Sequence, residues 1–298
     1  MAMEAVRAEL PVTPGPPLQR QWEFAPGEAI LPGRRALQLL GGGNRYEAYV
    51  AWDERLHTTV VAKLLRPHLR DDAGAQQSLR VEAEALARLQ HPGLVRSFGV
   101  VMDGPRPHLV LEHLEGPRLS TLLRRFGPLA AEQIVPLAWR LASVLAYLEH
   151  EAWVHLDVKP RNIVMTAVPR LIDLSVARPV AAARRVRRPV GTDAYMAPEQ
   201  CDPARYSDIG PASDVWGLGA TLYEALTTQQ AFPPDGGVRF PQLRRAPPAL
   251  PAKAPPALAA AVRACLAPLP EQRPTASHLR ELIEPLADWS ARAGRRLR

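Results

Sequence analysis

Lysine is nearly missing from this chain: of 37 basic residues only Lys63, Lys159 and Lys253 are lysines, so each stands out against an arginine background. Cysteine is scarcer still. Cys201 and Cys265 lie far apart, which leaves a disulfide framework or a CxxC metal site without support. Cys265 falls within the apolar run 259–269 and reads as a core thiol, not a reactive one. Aromatic residues make up only 6%, so the core must rest on Leu, Val and Ala. No stretch approaches about 18 uninterrupted apolar residues, so no membrane span or membrane partner is expected. With Glu4 and Glu9 close behind the start, the apolar region of a signal peptide is lacking. These absences together imply a soluble, cytoplasmic protein.

What is present is ample for a core. The chain has 298 residues, 47% hydrophobic and 22% charged, enough for one large domain or two packed lobes. Proline is plentiful at 32 residues, clustered at 11–17 and 247–256. The first cluster suggests a flexible arm and the second a rigid surface connection. Net charge is +7 and the pI about 9.9. Heavy Arg, Ala and Pro usage suits a GC-rich coding bias better than a phosphate-binding face. No zinc-ligand spacing, aromatic RNA-binding motif or basic zipper accompanies the charge, so nucleic acid is not expected as a partner.

The organisation changes along the chain. From Ala36 to Glu112 it reads as strand, glycine turn, strand, strand, helix, strand, strand. The strands are predicted at 46–52, 58–65, 97–102 and 108–112, and the helix at 78–90, ending before His91-Pro92-Gly93. Beyond a linker at 112–116, Ile134, Leu137, Leu141, Val144, Leu145 and Leu148 recur at helical spacing within 130–151. Buried helices are expected at 216–226 and 256–266. A small β-rich lobe followed by a larger helical lobe is the fold class expected, α+β.

Several segments carry chemistry. Leu40-Gly41-Gly42-Gly43-Asn44-Arg45-Tyr46 is a glycine turn between strands, where backbone amides can approach a phosphate that a Cβ would obstruct. Taken alone, a triple glycine is more often just a hairpin. Val60-Val61-Ala62-Lys63 then ends an apolar strand on a lysine, a residue rarely buried without a partner, and Glu82 or Glu84 on the following helix could pair with it. In Val154-His155-Leu156-Asp157-Val158-Lys159-Pro160-Arg161-Asn162 an acid, a base and an amide share one loop. Such an Asp can accept a hydroxyl proton, the Lys can neutralise phosphate and the Asn can bind a metal. Leu171-Ile172-Asp173 sets a second Asp at the end of an apolar run, a sound position for a magnesium ligand. Gly191-Thr192-Asp193-Ala194-Tyr195-Met196-Ala197-Pro198-Glu199 follows.

In this order and spacing the segments resemble the eukaryotic-like (Hanks-type) serine/threonine protein kinases of bacteria, actinobacterial ones in particular. The resemblance covers roughly 36–286. It implies the bilobal protein kinase fold, with an arm over 1–30, a kinase domain over 31–288 and a basic tail over 289–298. The N-lobe would run over about 31–112 and the C-lobe over about 115–288. It implies transfer of the ATP γ-phosphate to Ser or Thr of protein substrates, with magnesium, or manganese in its place. By similarity Gly41, Gly42 and Gly43 cover the phosphates, and Lys63, oriented by Glu82, holds the α- and β-phosphates. Ala62 lines and Leu111 closes the adenine pocket, with backbone groups of Glu112 and Leu114 bonding the base. Asp157 orients the hydroxyl and takes its proton, Lys159 steadies the phosphoryl, and Asn162 and Asp173 hold the metal. Glu199 with Arg273, and Asp214, are implied as structural anchors.

The chain departs from the family pattern in places. Tyr46 stands at the third glycine, Leu156 where an Arg usually precedes the catalytic Asp, and Ser175 where a Gly closes the Asp173 motif. Between Ala177 and Val190 there are five Arg and no Ser, Thr, Tyr, Asp or Glu. Activity independent of phosphorylation in that segment is therefore expected, with the arginines from Arg184 to Arg188 open to an acidic docking partner. A catalytically silent scaffold on the same fold is the rival reading. The retained Lys63, Glu82, Asp157, Asn162 and Asp173 argue against it.

Overall fold

The computed structural model describes residues 20–206, 208–252 and 254–295, with side chains as far as Leu286. Its first half is an antiparallel sheet of six strands: β1 (Ala29–Leu31), β2 (Arg34–Gly42), β3 (Tyr46–Asp53), β4 (Thr58–Leu65), β5 (Ser97–Val101) and β6 (His108–Glu112). The strand order is β1-β2-β3-β4-β6-β5. Helix α1 (Ala73–Arg88) packs on one side, beginning five residues before the sequence pattern suggested. Its start is set by Asp72, whose carboxylate accepts the Ala75 amide at 2.7 Å and so satisfies one of the unpaired amides of the first turn.

The second half is mainly helical. It runs through α2 (Leu119–Phe126), α3 (Ala131–His150), the short strands β7 (Trp153–Val154), β8 (Ile163–Val164), β9 (Arg170–Leu171) and β10 (Arg178–Pro179), and α4 (Val180–Ala183). It ends with α5 (Pro198–Cys201), α6 (Pro211–Thr227), α7 (Pro256–Cys265) and α8 (Ala276–Arg295). The expected spine helix is α3, and all six apolar residues read from its periodicity are buried. The central helix is α6, buried around most of its circumference from Ser213 to Leu226. It packs closely on α7, where a Cβ on Gly219 would meet Cys265 Cβ at 2.6 Å. The expected basic tail begins inside α8, which continues to Arg295. Among the described residues no helix is long and apolar enough to cross a membrane.

The start of the chain departs from expectation. Residues 1–19 of the expected arm lie outside the described residues, but within 20–30 the chain is anchored through Trp22, Phe24 and Ile30. Phe24 and Ile30 are buried with Tyr49, Ala51, Val60, Ala62 and Leu64 over the outer face of the sheet, and Trp22 packs beside them. Burying those side chains covers the outer face of the middle strands β3 and β4.

The same segment braces the glycine turn. Glu47, only 2% exposed, accepts the Trp22 amide at 3.1 Å, the Tyr49 hydroxyl at 3.3 Å and Arg66 Nη1 at 2.8 Å. Arg66 also donates through Nε to the Gly43 carbonyl at 2.6 Å and through Nη1 to the Arg20 carbonyl at 2.8 Å. Trp22 Nε1 donates to the Leu65 carbonyl at 2.7 Å. One buried carboxylate thus holds the entering chain and the turn through a shared arginine.

In the helical half the corresponding fixture is Arg273 with Glu199. Nη1 and Nη2 meet the two carboxylate oxygens at 2.7 and 2.9 Å, Nε reaches the Ala267 carbonyl and the guanidinium lies over the Trp216 ring. Ser213 Oγ donates to Glu199 as well. A buried pair this fully bonded is tolerable, whereas one partner left alone is not.

Two outcomes are expected. Arg66→Met should speed amide hydrogen exchange at 41–46 on the order of tenfold, as charge-assisted bonds to the turn are lost, while exchange in α3 stays unchanged. Arg273→Ala should lower unfolding free energy by about 3–5 kcal/mol in urea denaturation, because Glu199 stays buried without its partner.

Candidate active site

Lys63 is the meeting point of three elements. It ends the apolar run of β4, and its Nζ donates to both carboxylate oxygens of Glu82 on α1 at 2.8 Å and to Asp173 Oδ1 at 2.8 Å. Glu82 is fully buried, and it is this glutamate, not Glu84, that pairs. Burial alone would lower the Lys63 pKa, but the carboxylates of Asp173 and Glu82 outweigh it and hold the ammonium above its ordinary value. Burial alone would raise Asp173, but Lys63 and a bond from Ser175 hold it well below the usual carboxylate range. Asp173 therefore keeps its charge at every pH near neutrality. Its backbone is left-handed, φ +70°, which turns the carboxylate back toward Lys63 as β9 ends.

Strand alternation decides what shares the Lys63 face. Val61 and Lys63 point one way and Ala62 the other, because successive strand residues alternate. Ala62, expected to line the base pocket, is instead fully buried in the outer cluster with Phe24, Ile30 and Tyr49. Val61, on the Lys63 face, lies opposite Leu111 in the register, and both belong with Leu114 to the main core and its half-buried margin. The Glu112 amide is already donated to the Arg96 carbonyl at 3.0 Å, and its carboxylate accepts from the Arg96 amide and from Arg170. Glu112 thereby fixes the shape of the linker.

Of the three glycines, Gly42 is sterically required, since a Cβ there would meet the Tyr46 carbonyl at 2.6 Å. Gly41 has φ +127°, open to glycine alone at little cost. The turn is closed by the Gly43 amide on the Tyr46 carbonyl at 3.0 Å.

Across from this face sits the loop after β7. Asp214 at the start of α6 accepts the amides of His155 and Leu156 at 2.6 and 2.7 Å, fixing the loop backbone. Burial pushes the Asp214 carboxyl up to about 7 against the pull of those two donors. His155 is fully buried and kept neutral by desolvation. Its Nδ1 accepts the Asp157 amide, so its Nε2 is the donor to the Ile172 carbonyl at 3.3 Å. The Ile172 amide in turn donates to the Asn162 carbonyl at 2.9 Å. These bonds set Asp157, Asn162 and Asp173 around one space.

Within that space Lys159 Nζ lies 2.6 Å from Asp157 Oδ2 and 2.5 Å from Thr192 Oγ1. The Thr192 hydroxyl donates to Asp157 Oδ1 at 2.7 Å. Asn162 Nδ2 donates to the carbonyl and Oδ2 of Asp157, both at 3.0 Å, which leaves its Oδ1 as the atom able to ligate. An amide oxygen and a carboxylate are hard oxygen donors, a short set that suits magnesium completed by phosphate and water. Among the described residues no group of three or more His, Cys, Asp or Glu offers a protein-only metal cage.

Glu47, Arg66 and Gln200 escaped sequence reasoning. Gln200 Nε2 ties the Leu156 and Val190 carbonyls together at 2.9 and 2.8 Å. A charged residue alternating with apolar ones inside a strand, as Glu47 does, was the available signal.

Comparison with known proteins agrees with this geometry. Residues 34–282 match the protein kinase domain family. The chain is 32% identical over 209 residues to serine/threonine-protein kinase PknB of Mycobacterium leprae, covering 67% of this chain and 33% of that protein. It is 32% identical over 280 residues to serine/threonine-protein kinase PknA of Mycobacterium tuberculosis, covering 89% of this chain and 63% of that protein. The chain thus spans about a third of PknB and under two thirds of PknA. With a matched region that includes every residue from Lys63 to Thr192 described above, the chain belongs to the protein kinase domain family.

Proposed function

We propose that this domain uses ATP and magnesium to transfer a phosphoryl group to serine or threonine hydroxyls of protein substrates. The observation that carries the reading is the convergence of Lys63, Asp157, Lys159, Asn162 and Asp173 on one space, each already oriented by a named partner. The relatives' names as serine/threonine-protein kinases point to the same class of acceptor. Two buried free thiols suit a reducing compartment, so we place the domain in the cytoplasm.

Bound ATP supplies the γ-phosphoryl group, and magnesium, or manganese in its place, supplies charge neutralisation between its phosphates. The chain's own residues do the rest. The glycine turn at Gly41 to Gly43 covers the phosphates, and Lys63 holds the α- and β-phosphates. Val61 and Leu111 flank the base, and backbone groups of Glu112 and Leu114 face its edge. Asn162 Oδ1 and Asp173 hold the metal. Asp157 accepts the proton of the acceptor hydroxyl as its oxygen bonds to phosphorus. Lys159, already beside Asp157, keeps a positive charge against the phosphoryl in transit, and the leaving ADP keeps the electron pair of the broken bond.

The segment after Asp173 supports activity without phosphorylation there. Leu156, in place of an Arg that would pair with a phosphate, is 2% exposed and packs with Val154, Ala183 and Ile209. Val176, Val180, Val186 and Val190 of the segment pack against the same cluster. Apolar burial thus orders what a phosphate-arginine pair orders elsewhere. Thr192 is spent on Asp157 and Lys159, so its phosphorylation would break the site rather than build it. Arg184 and Asp208 are 3.7 Å apart and both exposed, a weak tie that leaves the Arg184–Arg188 cluster open to an acidic substrate or regulator.

Asp157→Asn should lower transfer about 10²–10⁴-fold in single-turnover assays with near-wild-type stability. Asp173→Ala should abolish most transfer at any magnesium concentration, and near-wild-type rates would remove that residue as a metal ligand. Protein stripped with a phosphatase, verified by intact mass, should start at its full rate. A lag abolished by pre-incubation with ATP and mapping to Thr192 or Ser175 would contradict phosphorylation-independence.

A further inference from the structure

Tyr46 occupies the third position of the glycine turn, where the family pattern has no side chain. It is the first residue of β3 and lies opposite Leu65, two residues beyond Lys63 on the same face of β4. That register directs its ring beneath the turn and into the cleft, not out to solvent. The Lys63 ammonium sits 4.7 Å from the ring centroid, within reach of a cation–π attraction. All three N–H bonds of Lys63 have carboxylate acceptors on Glu82 and Asp173, and the ring covers a further approach.

The phenol hydroxyl has no hydrogen-bond partner although it is buried. Desolvation pushes its pKa up to about 12, so it stays a neutral hydroxyl. A buried hydroxyl without a bond is a cost that the ring's contact with Lys63 and the surrounding apolar residues must offset. The inward position is therefore held by the ring and opposed by the hydroxyl, a balance that a ligand can tip. The hydroxyl cannot greet a ligand from where it lies, since it is closed off from solvent.

We propose that Tyr46 is a nucleotide gate: its ring and the phosphates of an incoming nucleotide compete for the same approach to Lys63. This rests on the reading of Lys63 as the phosphate-holding residue. Binding of a phosphate-bearing nucleotide requires the ring to swing out from under the turn, whereas binding of the base and ribose alone does not. Tyr46 thereby sets nucleotide affinity and exchange, a task the glycine of the family pattern does not perform.

The test is calorimetric titration of the whole chain with Mg·ADP and, separately, with adenosine. Wild type is compared with Tyr46→Ala, Tyr46→Ser, Tyr46→Phe and Lys63→Met. Truncation to Ala or Ser should tighten Mg·ADP by about 5- to 30-fold, the range of a desolvated cation–π contact, and leave adenosine within about twofold. Tyr46→Phe keeps the ring and loses the orphaned hydroxyl, so Mg·ADP should bind no tighter than to wild type. Weaker Mg·ADP binding in the truncated variants would overturn the gate and make the phenol a phosphate donor instead. Equal changes for Mg·ADP and adenosine would also overturn it, as a loop effect without phosphate selectivity. If Lys63→Met bound Mg·ADP as well as wild type, the phosphate assignment of Lys63 would fall, and the gate with it.

Discussion

Everything in this site depends on one buried ammonium held by two carboxylates from different parts of the chain. Lys63 rides on the sheet, Glu82 on α1, and Asp173 on the segment that leaves β9 in the helical half. An unpaired charge at this depth would be prohibitive, so the three elements are constrained to meet. On the proposed function, the same constraint that closes the cleft supplies the positive charge that holds phosphate and a carboxylate that holds the metal. Structure and chemistry share the interaction.

The helical half is built to keep its side of the cleft still. Asp214 fixes the backbone of His155 and Leu156, His155 bonds across to Ile172, and Glu199 with Arg273 locks the segment beyond Thr192 to the end of α7. Each tie runs from a buried polar group to another element, and each is fully bonded. In the activation segment the order comes from Leu156 and a set of valines. On the proposed reading an apolar cluster is not switched by adding or removing a phosphate, and control would act elsewhere, for which the tyrosine under the glycine turn offers a place.

Much of this was legible in the sequence because the signals were local. The bounds of β4 and β6 match the predicted strands residue for residue, since turn residues flank short apolar runs. The helical repeat of α3 was readable from spacing, while the residues alone left Glu82 and Glu84 open as partners of Lys63 and only the resemblance chose Glu82. Ala62 was placed in the base pocket by the resemblance, and the pattern could not correct it because Val60, Val61 and Ala62 are all apolar. When both faces of a strand are dry, the alternation that separates them disappears from the pattern. The dryness of the outer face comes from Trp22 and Phe24, which a proline-rich start disguised as an arm. The early start of α1 was hidden by Ala-Gly-Ala-Gln-Gln, which reads as loop until Asp72 is recognised as its cap. The bonds of Glu47 to Arg66, and of Gln200 to Leu156, join residues far apart in sequence and left no periodic trace.

The central claim is that this cleft moves phosphoryl groups from ATP to hydroxyls on proteins. The most direct measurement incubates the wild-type chain and the Lys63→Met variant with isotopically labelled ATP, magnesium and a cell lysate, then maps labelled sites by mass spectrometry. The account predicts label on serine and threonine of proteins other than the kinase, dependent on wild-type Lys63. Identical labelling by both proteins, or no label despite measured nucleotide binding by the wild type, would contradict it.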